Sequence, residues 1–446
     1  MKQTAVKSFV LCTRLRVPQR IPRLSIALYF LLLGISASSA QVAPQQPATS
    51  DSDKRTIEML LERIEKLEAR VAQLEHSSGQ PSPPHPGSAA APEPASSPSA
   101  METVMSERMD FSRTLLKIRG FGDINLRGSN QKGDTTSFNL GQLNLFVTSD
   151  VSDRFKFLGE IVFEAGPDNI YGVTRPNNNF LGVDVERLLL QYSHNDYFNL
   201  ALGRYHTAIG YYNTAYHHST WFQTTEDRPL VFQFEDRGGI LPIHNVGASA
   251  SGRIPSGSLG LHYVAEIGNG RESRAPIAEE PVQNTIDENN HKAFNFAFFS
   301  TPAAVPGLQA GFSVYHDRLT PANVTPVAET ILAAHAVLIR PRFEWLNEAL
   351  LVRHTEIANG ALFQTPAFYS QVSHQFGSYR PYFRYQYLNA SGREPIFPDI
   401  GLRQGPSVGI RYDASEFVAV KLQYDYTKLR SHPDTQALGM QVGFTF

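Results

Sequence analysis

The stretch 207–243 gathers side chains able to do chemistry: His217, His218, Trp221, Glu226, Asp227, Arg228, Glu235, Asp236 and Arg237, followed by the Gly238-Gly239 pair. With His206 and Ser219 close by in sequence, a nucleophile site or a metal site is conceivable. Two observations weigh against both. Adjacent histidines in a loop do not naturally converge on one ion, and no HExxH, GxSxG or P-loop string occurs in the chain. The histidines read as solvated, and no catalytic group, metal or cofactor is expected. Charges of both signs in one loop set up a transverse field across whatever space the loop borders. The alternative is a loop packed on a wall, with its charges in mutual pairs.

A second set of charges recurs at every other position along extended segments. Lys117, Arg119, Asp123 and Arg127 fall on one face of the first, Lys156, Glu160 and Glu164 on one face of the third, and Arg187 on the fourth. Arg380, Arg384, Arg403, Arg411, Lys421 and Asp425 do the same toward the C-terminus. Between them alternate residues are apolar, as in Phe155, Phe157, Gly159, Ile161, Phe163 and Ala165. Such alternation fits strands with one face in lipid and one toward water. On that reading the charges line a lumen, because a Lys or Arg at mid-membrane on the lipid face costs about 2–4 kcal/mol. Basic residues outnumber acidic ones in this set, which favours a mild anion preference. Arg204 and Arg353 lie in strands of ambiguous facing and are left unassigned.

The elements that position these residues follow from the period of 2. Strands are predicted over 114–128, 137–149, 153–165, 183–193, 197–206, 244–252, 258–267, 291–301, 307–318, 330–340, 346–357, 362–375, 379–389, 402–413, 416–430 and 436–446. These are sixteen, an even count, as single-chain bacterial outer-membrane barrels have. Connections after even strands are short and those after odd strands are often long, with 207–243 the longest. The predicted class is all-β, a 16-stranded antiparallel transmembrane barrel over 111–446 preceded by a short α-helical coiled coil.

Composition agrees. Charged residues are 18% of the 446, below the roughly 25% of ordinary soluble domains, and the net charge of −2 gives no field for nucleic acid. Residues 1–40 read as a secretory signal, with a basic n-region, an apolar stretch Leu24–Ile35 and small residues Ser38-Ser39-Ala40 before the cut. The only cysteine, Cys12, lies within it, so neither a disulfide nor a cysteine metal site is expected after cleavage. Residues 41–50 read as disordered. Across 51–76, Ile57, Leu60, Ile64, Leu67, Val71 and Leu74 are spaced 3-4-3-4-3, the seam of a parallel coiled coil. Arg63 and Arg70 at g face Glu68 and Glu75 at e of the next heptad. β-branched residues at a favour a dimer, whereas Leu61 widens the stripe and suits a third helix. A single amphipathic helix on another surface is the remaining alternative. Residues 77–110 form a Pro, Ser and Ala-rich linker.

The signal, the strand number, the long third loop and the ending Met440, Val442, Phe444, Phe446 resemble the trimeric porins of Gram-negative outer membranes. The stretch Leu202-Gly203-Arg204-Tyr205-His206-Thr207-Ala208-Ile209-Gly210-Tyr211-Tyr212 is similar to a strand-to-loop junction of the phosphate-selective porin O/P group. The resemblance implies passive diffusion of small hydrophilic solutes through a homotrimer in the outer membrane. It further implies that 207–243 folds inward as a constriction, and that the terminal aromatic pattern is read by the outer-membrane insertion machinery. The coil is expected in the periplasm, with possible cell-wall contact. Two other classes stay open: a barrel lipid hydrolase, and a barrel that chiefly anchors an envelope tether.

Overall fold

The computed structural model describes residues 116–165, 181–216, 220–234, 239–271, 286–321, 324–430 and 432–446. The expected signal, coil seam and linker lie outside these residues. The first strands are β1 (Leu116–Ser129), β2 (Ser137–Asp150), β3 (Phe155–Ala165), β4 (Leu181–Asn195), β5 (Phe198–His206), β6 (His244–Ile254), β7 (Leu261–Gly268) and β8 (Ala293–Ser300). They are followed by β9 (Leu308–Leu319), β10 (Val327–Arg340), β11 (Phe343–Glu356), β12 (Leu362–His374), β13 (Tyr379–Asn389), β14 (Leu402–Asp413), β15 (Val418–Leu429) and β16 (Thr435–Thr445). Each strand pairs antiparallel with its sequence neighbours, and β16 pairs with β1 to close the barrel. No predicted strand end is displaced by more than three residues.

Closure removes both sheet edges. Gly120 N–H donates to Phe446 O and Phe446 N–H to Gly120 O, each at 3.0 Å. The glycines of β1 make room for the aromatic rings of its partner. A Cβ on Gly120 would lie 2.3 Å from Phe446 Cζ, and one on Gly122 would lie 2.5 Å from Phe444 Cζ. Met440, Val442, Phe444 and Phe446 share the outer face of the seam, while Gln441 between them points inward to Lys421 and Asp123.

The outer face is apolar. Leu188, Leu190, Leu202, Phe294, Phe312, Trp345, Phe383 and Leu422 are all exposed there. Aromatic pairs sit beside the short turns: Phe155 with Tyr192 at 5.1 Å between ring centroids, and Tyr379 with Tyr412 at 4.9 Å. Such apolar bands flanked by aromatics mark barrels whose solvent is lipid.

The inner face departs from simple alternation. Tyr315 of β9, Ile331 and Val337 of β10, Leu346, Leu350 and Val352 of β11, and Tyr369 of β12 are buried on it. They form one cluster with Ile209, Tyr212, Phe232, Ile240, Leu241 and Ile243, all from the chain between β5 and β6. That segment therefore enters the barrel, and part of the wall is apolar on both faces because neither face meets water. This is why strand 11 shows no clear facing in sequence. Register places Arg353 opposite Thr330, whose hydroxyl meets His316 at 3.0 Å on the outer face, so Arg353 belongs to the outer wall. Strand 5 is ambiguous for another reason: Gly203, at φ 130°, interrupts the extended backbone just before Arg204.

Candidate functional site

The site is built from the inner wall and the segment 207–243. A short helix, α1 (Tyr212–Ala215), starts the segment, and a 3-10 turn, Leu230–Phe232, lies further along. Irregular backbone inside a barrel must find donors and acceptors for its peptide groups. The wall supplies them. Glu348 of β11 accepts from Tyr211 N–H at 2.6 Å and Tyr212 N–H at 2.9 Å, while Tyr369 donates its hydroxyl to the same carboxylate at 2.6 Å. Tyr216 donates to Glu344 at 3.1 Å. Asn213 ties the two ends of the segment, donating to Thr207 O at 2.8 Å and Ile243 O at 2.9 Å.

The middle of the segment, Thr220–Arg228, lies against β13–β16 and β1. Lys421 Nζ donates to Thr225 O at 3.0 Å, to Thr220 O, and to Gln441 Oε1 at 2.8 Å. Arg411 donates to Gln223 O at 3.1 Å and to Trp221 O, with its guanidinium 5.0 Å from the Trp221 ring centroid. Arg384 holds the Asp227 carboxylate, and also donates to Asp227 O at 3.0 Å and Thr225 Oγ1 at 3.2 Å. Arg127 bridges Glu226 at 2.8 Å and Asp425 at 3.2 Å. Arg228 donates to Phe232 O and stacks on Phe234, 4.1 Å from the ring centroid. Glu226, Asp227 and Asp425 bring carboxylate oxygens within 4.8 Å of one another. Arg127 and Arg384 bond to these carboxylates, so the chain supplies their counter-charge itself. Burial, with Asp227 and Asp425 near, pushes the Glu226 carboxyl up to about 7 against the pull of Arg127 and Lys421.

Following the register from Asn125 to Gln441, Lys421, Arg411 and Arg380 places these side chains on one inner face. The same ladders put Lys117, Arg119, Asp123, Arg127, Lys156, Glu160, Arg187, Arg384, Arg403 and Asp425 on it. Glu164 lies in β3 on the same ladder, but its side chain is outside the description. Inward facing does not make all of them water-facing. Asp123, Glu160, Arg384, Arg403, Arg411, Lys421 and Asp425 are buried, most of them against the segment that enters the barrel. Lys117 and Lys156 remain exposed, sharing Asp150 at 3.3 and 3.9 Å. Arg187 pairs with Glu160 at 2.5 Å, and Arg380 donates to Gln375 at 2.7 Å. Of the expected constriction residues, Glu226, Asp227 and Arg228 are brought together, whereas His217, His218, Glu235, Asp236 and Arg237 lie outside the described residues.

The inner wall carries acids that sequence reasoning missed: Glu266, Asp317, Glu329, Glu344 and Glu348. The sequence set held ten basic residues and four acidic ones; these five, with the buried Glu186 of β4 beside His244, raise the acids to ten. Glu348 lies in strand 11, whose facing is ambiguous in sequence, and Glu329 and Glu344 fall just outside the predicted spans of strands 10 and 11. Glu266 and Asp317 each share a face with apolar residues in β7 and β9. Glu329 takes Arg271 through both nitrogen contacts, at 3.3 and 2.9 Å, and His354 at 2.7 Å. The other ring nitrogen of His354 meets Glu394, so the connections after β7 and β13 are both fastened to the wall.

No family model matches the sequence, and no curated protein does. Among solved structures, the anion-selective porin from Comamonas acidovorans aligns at a TM-score of 0.51 and 10% identity, covering 75% of this chain and 100% of that one. The outer membrane channel DcaP of Acinetobacter baumannii aligns at 0.50 and 10% identity, covering 76% of this chain and 99% of that one. At such identity the likeness speaks for architecture: the chain has the closed sixteen-stranded barrel fold of outer-membrane porins.

Proposed function

We propose that this protein is a Gram-negative outer-membrane channel through which small hydrophilic solutes diffuse passively. One observation carries the reading. An apolar outer wall encloses a charged inner wall, and the segment 207–243 is fastened inside it by wall cations and carboxylates rather than standing outside as a surface loop. A constriction built in this way narrows a passage while leaving Lys117 and Arg119 of β1 and Lys156 of β3 as exposed charges on its other side. The selectivity we propose is a mild anion preference, in line with the name of one structural neighbour. It is mild because Arg127 and Arg384 are bonded to acids, and because the wall acids nearly match the bases. Phosphate as a specific solute is not part of the proposal, since the paired cations form no ladder of open basic groups.

The working unit is proposed as a homotrimer with the coil over 51–76 in the periplasm. The terminal pattern Met440, Val442, Phe444, Phe446 is its signal to the insertion machinery. We read the barrel as non-enzymatic. Planar-bilayer recording of the purified mature protein tests this: steady open conductance is the expected result. Absence of conductance together with lipid hydrolysis would overturn it in favour of the enzyme reading, and absence of both would favour the tether.

A further inference from the structure

Between the start of the inward segment and the inner wall of β7–β10 lies a cavity of about 250 Å³. Tyr211, Val264 and Phe299 give it apolar walls, and Gln309, Ser313 and His335 give it polar ones. The Phe299 ring is held flat against His262, with centroids 4.9 Å apart, and the Tyr211 and His335 rings lie 6.0 Å apart. His335 is only 8% exposed, yet its Nδ1 has no hydrogen-bond partner. Its Nε2 lies 3.3 Å from the Gln309 side-chain nitrogen. With that amide donating to Nε2, the ring proton sits on Nδ1 as a buried donor without an acceptor. Leaving such a donor unmet costs free energy that a bound acceptor recovers.

We infer that this cavity binds a small neutral ring compound bearing an acceptor oxygen, such as an amide or alcohol on a single aromatic ring. The volume falls just below the range of drug-sized sites, about 300–1,000 Å³, which suits one ring and one substituent. The apolar walls take the ring face and edge, and the His335 Nδ1–H takes the oxygen. Neutrality follows from what flanks the cavity. Glu348 stands directly opposite His335 in the β10–β11 register, and Glu266 anchors Ala208 N–H at 3.0 Å. Among the described residues, no Lys or Arg lines the cavity. A carboxylate on the ligand would lose its water and meet two acids with no cation.

The inference concerns binding and does not rest on conduction, so either reading can fail alone. Nicotinamide and nicotinate are suitable probes, being alike except for amide against carboxylate. Saturation-transfer NMR with the mature protein in nonionic detergent reads their binding directly. Nicotinamide should bind saturably, with nicotinate weaker by about tenfold or more. His335→Phe keeps the ring volume and removes the donor, and should weaken nicotinamide about tenfold. Ala297→Leu places bulk within the cavity and should abolish binding, while both variants keep the heat-modifiable mobility of a folded barrel. Equal binding of the two probes, undiminished binding by His335→Phe, or no saturable binding by the parent would each overturn the inference.

Discussion

Arg384 neutralises Asp227 and also satisfies a loop carbonyl and a loop hydroxyl, so its removal should be felt in charge and in anchoring together. In Arg384→Gln, Asp227 keeps the Gln423 amide, at 2.7 Å, but loses its directly bonded cation, leaving the more distant Arg127 to offset its charge. Breaking a buried pair costs about 3–5 kcal/mol; with the Asp227 side chain 26% exposed, about 2–3 kcal/mol is the reasonable loss. The reversal potential across a potassium chloride gradient should shift toward cations, with noisier open-channel current. An unchanged reversal potential would show that Asp227 is not beside the ion path. Glu226 gives the pH dependence. Its carboxyl is raised to about 7, so it is neutral below that pH and negative above it. Anion preference should therefore be greater at pH 6 than at pH 8. The difference should shrink in Glu226→Gln, measured by the same reversal potential. At this scale alternation assigns a face to a charge only where the strand keeps a regular period, so Arg204 and Arg353 go unassigned and acids such as Glu348 are missed. It could not tell that Arg384 and Lys421 are covered, because their partners come from a segment far away in the chain.

The elements were more legible than their contacts. Every strand announced itself through period-2 patterning except where the physics suspends it: a glycine out of extended geometry in β5, and an inner face buried under the inward segment in β11. The segment itself read as a long loop with charges of both signs, while its apolar half, Ile209, Phe232, Ile240, Leu241 and Ile243, has no regular period. The β1–β16 seam is where an element-scale test bites hardest. Deleting Phe446 removes two backbone hydrogen bonds and a ring from the closing pair, and should impair insertion more than a deletion at an exposed turn. Gly122→Val tests the same seam from the other side, since its side chain would collide with Phe444. Heat-modifiable folded yield in both variants should fall severalfold relative to Gly392→Val, at a site where a Cβ meets open space. Similar yields for the seam and turn variants would show that ring accommodation does not matter for assembly.

For the whole molecule, a trimer with a parallel coil makes a prediction about mass. The mature protein in detergent should run as a trimer, and a form lacking 41–106 shows whether the barrel wall suffices to hold it. Monomer from both forms would exclude the assembly. The sequence announced a closed barrel because sixteen alternating segments with unequal connections leave few other solutions. It was silent on which walls meet a neighbour, since lipid and protein contacts ask for the same apolar side chains. The seam also has a meaning in time. β1 and β16 lie more than 300 positions apart in the chain, as Gly120 and Phe446 illustrate, so the last strand of the barrel to be made must find the first. Until then fifteen strands form, at best, a sheet with two open edges, the state most prone to pair with the wrong chain. Pairings so distant in sequence form slowly, because loop-closure entropy must be met before the contact rewards it. Two glycines facing two phenylalanines thus act as a clasp, and the survival of the unclosed sheet depends on how long it must wait undone.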